Sequence, residues 1–145
     1  MSAGSRRVVG QFEIVVLPFM AQDDYDRLLW HCDLNIVRGE DSFVRAQWAG
    51  RPLLWHIYRQ DEDAHLPKLE AFLDRYCEGL DAQAAQRCRA LHRDWNVDRP
   101  IDAARWRDWL EDAPRLTRHA VSWAGSLAAQ PDLASQLVLF NQRPI

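Results

Sequence analysis

The sequence predicts an α/β fold in which a Rossmann-like parallel sheet is followed by a helical C-terminal tail. In the first part of the chain, short apolar runs rich in β-branched residues alternate with amphipathic segments of about ten residues. After Gly79 only helical periodicity remains. A length of 145 residues suits one domain with its own core. We therefore expect a single α/β unit over residues 1–145.

The predicted strands are short apolar runs at 13–17, 34–37 and 53–58. The first run is nearly continuous, which is typical of a strand buried on both faces. Helices are expected at 23–31, 42–49 and 66–76, with Gln22 or Asp23 placed to cap the first of them and Gly50 just past the second. This βαβαβα order favours a parallel sheet with right-handed crossovers.

The tail is predicted to hold helices at 81–95, 101–110, 116–127 and 133–140, where apolar residues recur at helical spacing. Three strands are few for an open parallel sheet. The chain is therefore expected to be either a small dimeric domain or the later part of a larger one.

Composition excludes several classes of protein. Eighteen basic residues stand against 21 acidic ones, a net charge of −3, so a general nucleic-acid-binding field is absent. No apolar run reaches the roughly 18–20 residues of a membrane span, and the N-terminus lacks a signal-peptide pattern. The 3 cysteines form no CxxC pair. We therefore expect reduced thiols, a cytoplasmic location and no metal site.

The loops that follow the predicted strands, at 18–22, 38–42 and 59–63, are expected to meet at one edge of the sheet, where α/β proteins bind ligands. Gly39 permits a positive φ or a close approach of the backbone to a ligand. Asp41 or Ser42 is placed to cap the following helix, whose free N–H groups would form an anion site. Arg38 can add a bidentate contact to a phosphate there. The alternative is an ordinary glycine turn with an N-cap.

Two further features of these loops have alternative interpretations. Glu40 does not suit a phosphate, because the two charges repel; it either pairs with Arg38 or faces a cationic or hydroxyl-rich second substrate. Phe19 and Gln22 can stack on and hydrogen-bond a base. The alternative is that Phe19 packs under its loop and Gln22 caps the next helix.

A specific family resemblance rests on the loop sequences. Residues 32–50 read CDLNIVRGEDSFVRAQWAG, and LPFMAQDDYDR at 17–27, WHIY at 55–58, DAHL at 63–66 and KLEAFL at 68–73 continue the match in order. This pattern resembles the EarP family of bacterial protein-arginine rhamnosyltransferases, strongly over residues 14–78. One departure is Arg59, where the family usually has proline in HIYPQ, which affects the shape of the third loop.

The resemblance implies the GT-B arrangement of two Rossmann-like halves, of which this chain would be part of the C-terminal, donor-binding half. It implies inverting transfer of L-rhamnose from dTDP-β-L-rhamnose to an arginine of translation elongation factor P, with no metal or cofactor. Phe19 and Gln22 would lie at the thymine end of the donor, and Glu40 near the reacting centre. The residues implied around the diphosphate are Arg38, Asp41 and Ser42.

The family's acceptor-side half would lie upstream of Met1. We therefore expect a C-terminal fragment that is inactive, or nearly so, by itself. Two other functions remain open at this point: a non-catalytic α/β nucleotide-binding or interaction module, and a nucleotide-sugar transferase with another acceptor.

Overall fold

The computed structural model describes residues 2–97 and 99–142, and within them the chain forms two two-stranded β-sheets and seven α-helices. The strands are β1 (Arg6–Val9), β2 (Phe12–Val15), β3 (Asn35–Arg38) and β4 (Leu53–His56). The α-helices are α1 (Gln22–His31), α2 (Asp41–Trp48), α3 (His65–Tyr76), α4 (Ala82–Asn96), α5 (Ala103–Glu111), α6 (Ala113–Ala128) and α7 (Leu133–Asn141). The α/β class and the helical tail are thereby confirmed.

The parallel pair β3–β4 confirms the second and third predicted strands. Asn35 lies opposite Leu53, and Arg38 lies opposite His56. Helix α2 connects the two strands, as parallel pairing requires. The loops that leave both strands therefore start at the same edge of this sheet.

The first predicted strand forms, but its predicted burial and pairing are wrong. β2 pairs with β1 in an antiparallel hairpin, with Arg6 opposite Val15, and both strands are exposed along their length. Gly10 supplies the turn with a φ of 64°. A hairpin closes a much shorter loop than a parallel crossover does, so its closure costs less entropy. The apolar run therefore specifies a strand without specifying its partner.

The predicted helices are confirmed to within a few residues. Asp81 caps α4 by accepting hydrogen bonds from the backbone N–H groups of Gln83 and Ala84. Asp102 and Asp132 cap α5 and α7 in the same way. These side-chain caps fix where α4, α5 and α7 begin, whereas α6 has no side-chain cap and carries Pro114 in its first turn.

The core lies on both faces of the parallel pair, because successive side chains of a strand point to opposite faces. Leu53 and Trp55 of β4 belong to a cluster with Leu69 and Leu73 of α3. Leu54, between them, belongs to a second cluster that holds Leu91, Trp109 and Leu116 of α4, α5 and α6. Helices therefore cover both faces of β4.

Asn96, at the end of α4, ties that helix to the outgoing end of β4. Its Nδ2 donates 2.8 Å hydrogen bonds to the carbonyl oxygens of Trp55 and His92, and its Oδ1 accepts one of 2.9 Å from the N–H of Ile57. The side chain is buried. It satisfies main-chain groups that have no further strand to pair with, and so holds the end of β4 in place.

Some features are absent from the described residues. No helix among them is long and apolar enough to cross a membrane. Residues 2–97 and 99–142 also contain no group of three or more histidine, cysteine or acidic side chains able to hold a metal ion. The cysteines there, at positions 32, 77 and 88, are free thiols.

We expect the fully buried His92 to make the chain less stable as the pH is lowered. Its Nδ1 donates to the Cys88 carbonyl oxygen at 2.9 Å, and its Nε2 has no partner within the described residues. Burial lowers the pKa of His92 from 6.5 to about 4. Between those values the unfolded chain binds a proton that the folded chain does not. The free energy of unfolding should therefore decrease as pH falls from about 6.5 to about 4, by about 3 kcal/mol in total.

The measurement is urea unfolding of the chain and of its His92→Leu variant at several pH values. For each protein, the slope is the change in the free energy of unfolding with pH. Burial also lowers the pKa of His119, but that residue titrates in both proteins. The difference between the two slopes therefore reports His92. Equal slopes in the two proteins would contradict the prediction.

Candidate functional site

A cavity of about 540 Å³ joins the loop before α1 to the start of α2. Phe19, Gln22, Asp41 and Ser42 all lie in its wall, and most of the remaining wall is apolar. The structure thus brings two residues of the first loop, Phe19 and Gln22, next to two residues that follow the second strand of the prediction, Asp41 and Ser42. Arg38, Gly39 and Glu40 precede this wall directly in the chain but are not part of it.

Phe19 is fully exposed, so the alternative in which it packs under its own loop is wrong. The backbone from Leu17 to Ala21 is extended or irregular, and the ring projects from it at the edge of the cavity. An exposed aromatic face beside an apolar wall is able to stack on a planar ligand.

Gly39 has a φ of 76°, which confirms the predicted left-handed position. A Cβ atom there would lie 2.7 Å from a ring carbon of Tyr58. Both the backbone conformation and the close ring therefore require glycine. The N–H of Gly39 donates to the carbonyl oxygen of His56 at 3.4 Å, which extends the β3–β4 pairing by one residue.

The predicted caps of α1 and α2 are wrong. Glu40 occupies the N-cap position of α2, Ala21 that of α1, and neither helix has a side-chain cap. The Asp41 carboxylate instead accepts hydrogen bonds from Gln22 Nε2 at 3.1 Å and from Arg45 Nε at 3.0 Å. A charged guanidinium competes well with backbone N–H groups for a carboxylate. The first N–H groups of α2 are consequently left without a side-chain acceptor among the described residues.

Arg45 holds α1 and α2 together, and the sequence analysis did not identify it. Besides Asp41 it binds both carboxylate oxygens of Asp26 on α1, at 2.9 and 2.8 Å. Hydrogen bonds to Asp26 and then to Asp41 raise the pKa of Arg45. The Asp41–Arg45 spacing of four residues on one helix face was the available signal; the contact with Asp26 depends on how the helices pack.

Arg38 and Glu40 do not pair with each other, so that interpretation is wrong. The guanidinium carbon of Arg38 lies 4.9 Å from the centroid of the Tyr58 ring. Within residues 2–97 and 99–142, neither Arg38 nor Glu40 forms an ion pair. Both are exposed. Two opposite charges therefore flank Gly39 and remain available to a ligand.

The third loop is shaped by an irregular turn. Residues Asp61–Asp63 form a short 3₁₀ turn in which Glu62 and Asp63 have φ values of 55°. The acidic segment therefore precedes α3 and does not form its first turn.

A family model and two related sequences that match this chain are all described as rhamnosyltransferases. A family model described as "Elongation-Factor P (EF-P) rhamnosyltransferase EarP" matches residues 1–142. A protein-arginine rhamnosyltransferase of Pseudomonas aeruginosa is 55% identical over 140 residues, which is 97% of this chain and 37% of that protein. A protein of the same description from Pseudomonas putida is 54% identical over the whole chain and 38% of its own length.

A solved structure described as "Structural basis for EarP-mediated arginine glycosylation of translation elongation factor EF-P" superposes on this chain with a TM-score of 0.84 at 48% identity. The match covers 100% of this chain and 45% of that one. The chain thus spans less than half the length of the relatives described above.

We expect Gly39→Ala to destabilise the fold by about 2 kcal/mol, because a Cβ would be held at a left-handed φ and against the Tyr58 ring. The matched control is Gly125→Ala, since Gly125 lies within α6 with nothing within 4 Å of its Cβ position. That change should stabilise the chain by about 0.5–1 kcal/mol. Urea unfolding of both variants tests this, and an unchanged midpoint for Gly39→Ala would contradict it.

Proposed function

This chain belongs to the EarP family of elongation-factor-P rhamnosyltransferases, and we propose that it supplies the donor site and one catalytic carboxylate for arginine rhamnosylation. The donor is dTDP-β-L-rhamnose, the acceptor is an arginine of elongation factor P, and the reaction inverts the anomeric carbon. One observation carries the proposal: the exposed charges of Arg38 and Glu40, which form no ion pair within the described residues, flank a left-handed glycine at a helix start without a side-chain cap.

The diphosphate is bound at the loop between β3 and α2. Arg38 provides an exposed cation that lies over the Tyr58 ring, and the N–H groups at the start of α2 provide fixed donors. Gly39 supplies the left-handed turn that brings the start of α2 next to Arg38. Ser42 adds a hydroxyl in the neighbouring cavity wall. Asp41 acts indirectly, because its carboxylate is already engaged by Gln22 and Arg45.

The thymine is bound by the cavity between the two loops. Phe19 offers an exposed ring for stacking, and Gln22 offers an amide for hydrogen bonds to the base. The Gln22 Nε2 donates to Asp41, which leaves its carbonyl oxygen to accept from a base N–H. The hydrogen bond between Gln22 and Asp41 supports a base subsite that lies beside the diphosphate subsite.

Glu40 faces the acceptor. A guanidinium is protonated at physiological pH and is a poor nucleophile, so a carboxylate is needed to orient it and to favour proton loss. In the reaction a guanidinium nitrogen bonds to the anomeric carbon while the bond from that carbon to the diphosphate oxygen breaks. One guanidinium proton is released, and dTDP leaves with an added negative charge. Arg38 and the start of α2 stabilise that charge, so the mechanism uses no metal or cofactor.

The proposal places this chain on the donor side of a GT-B cleft in the cytoplasm, with the acceptor side provided by the remainder of a full-length enzyme. It is tested with a chimaera in which the chain replaces the matching segment of the Pseudomonas aeruginosa relative. Incubation with dTDP-rhamnose and elongation factor P should add the mass of one deoxyhexose to the acceptor. Binding of dTDP without any transfer would instead favour a non-catalytic nucleotide-binding module.

In that chimaera, Arg38→Ala should weaken dTDP binding about ten- to a hundredfold, because charge-assisted hydrogen bonds to phosphate are lost. Isothermal titration calorimetry measures the affinity. Arg27→Ala is the control, since Arg27 is exposed and pairs with Asp24 on its own helix, α1. An affinity equal to that of the control would remove Arg38 from the diphosphate site.

Glu40→Gln should lower the transfer rate at saturating donor by about a hundredfold or more, the usual scale for a positioned acid–base group. The affinity for dTDP should stay close to that of the unsubstituted chimaera, because a carboxylate beside the diphosphate contributes nothing favourable to its binding. Glu111→Gln, on the exposed surface of α5, controls for the loss of one charge. Preserved turnover with a large loss of affinity would place Glu40 in the donor scaffold instead.

A further inference from the structure

A buried hydrogen bond connects the core of the parallel sheet to the glycine loop. Trp55, on β4, is only 6% exposed, and its indole Nε1 donates to the carbonyl oxygen of Gly39 at 2.8 Å. The N–H of the same glycine donates to the carbonyl oxygen of His56, also on β4. Both main-chain groups of Gly39 are therefore held by adjacent residues of the neighbouring strand.

The direction of the Trp55 N–H is determined by the rings around it. Phe43, in the first turn of α2, stacks on the indole with a centroid distance of 3.8 Å and an interplanar angle of 10°. Phe72 of α3 packs edge-on against the same indole at 5.9 Å. A ring packed on a face and on an edge in a close-packed core has little freedom to rotate. Its N–H is consequently aimed at the loop by the core itself.

This bond sets the orientation of the peptide group between Gly39 and Glu40. The peptide is trans, since no described peptide bond is cis, and the C=O and N–H of a trans peptide point in opposite directions. With the Gly39 oxygen directed into the core at Trp55, the N–H of Glu40 is directed away from the core. That N–H has no backbone acceptor among the described residues. It is therefore an outward-facing donor between Arg38 and the start of α2.

The opposite orientation of this peptide would be unfavourable for an anion. It would turn the Gly39 carbonyl oxygen outward, where it repels a phosphate, and leave the Trp55 N–H without an acceptor in the core. The glycine itself permits both orientations, because its φ and ψ are the least restricted of any residue. Some contact outside the loop must therefore select one of them.

We propose that Trp55 is a positioning residue of the donor site: its indole N–H selects the peptide orientation that presents the Glu40 N–H to the donor diphosphate. This role rests on the proposed function. Trp55 touches no substrate, and it acts only through the Gly39–Glu40 peptide. Loss of the indole N–H should therefore weaken donor binding, although Trp55 itself makes no contact with the donor.

The test compares two buried tryptophans in the chimaera described above. Trp55→Phe removes the indole N–H and keeps an aromatic ring beside Phe43. Trp109→Phe is the matched control, because Trp109 is 2% exposed, lies in the second core cluster and makes no hydrogen bond to the glycine loop within the described residues. A second variant replaces Trp55 by 3-benzothienylalanine, which has sulfur in place of the N–H and nearly the same shape.

The Kd for dTDP and the KM for dTDP-rhamnose should rise about three- to tenfold in both Trp55 variants, the scale of one hydrogen bond, with kcat nearly unchanged. Trp109→Phe should leave both constants unchanged, although its thermal unfolding temperature falls. If Trp55 serves only to pack the core, Trp55→Phe will behave like Trp109→Phe, and the benzothienyl variant will bind dTDP as well as the unsubstituted protein. Either result overturns the positioning role.

The unsubstituted chimaera separates this proposal from the one it rests on. If it neither binds dTDP nor transfers rhamnose, the proposed function is wrong and the role of Trp55 is wrong with it. If it binds dTDP and the benzothienyl variant binds equally well, only the role of Trp55 is wrong.

Discussion

The parallel pairing of β3 with β4 is the constraint on which the candidate site depends. Since both strands run in the same direction, the chain leaves them at the same edge, and the loop after Arg38 lies beside the end of β4. The pairing continues into the loop through the N–H of Gly39. Asn96 completes the edge by binding main-chain groups of Trp55 and Ile57. The β3–β4 sheet thus fixes a loop whose glycine would otherwise be free to adopt several backbone conformations.

Charge is distributed around this loop in two distinct ways. Asp26, Asp41 and Arg45 satisfy one another and bind α1 to α2, so they stabilise the site without offering charge to a ligand. Arg38 and Glu40 have no such partners within the described part of the chain and are exposed. Asp41 therefore has a structural role, while Arg38 and Glu40 keep exposed charges, which the proposed function assigns to phosphate and guanidinium.

The core contributes to the site through aromatic packing. Trp55 is surrounded by Phe43 and Phe72, which belong to the helices on either side of β4 in the sequence. Its indole N–H is directed at the carbonyl oxygen of Gly39. On the outer side, the Tyr58 ring lies against Gly39 and under Arg38. The loop is therefore held between two aromatic residues of one segment, Trp55 and Tyr58, which connect the hydrophobic core to the edge that carries the candidate site.

The sequence by itself determined the elements that depend on neighbouring residues: the helices, the strands β3 and β4, the left-handed Gly39 and the loops at the sheet edge. The residues around RGEDSF also indicated the family to which the chain belongs. The tertiary structure alone decided the partner of the first apolar strand, the partners of Asp41, and the hydrogen bond from Trp55 to Gly39. Local propensity acts over a few residues and is visible in the sequence. For each of these contacts, by contrast, several partners could satisfy the same group. The packing of distant segments determines which partner is used, because the closest and best aligned partner satisfies the polar group with the lowest free energy.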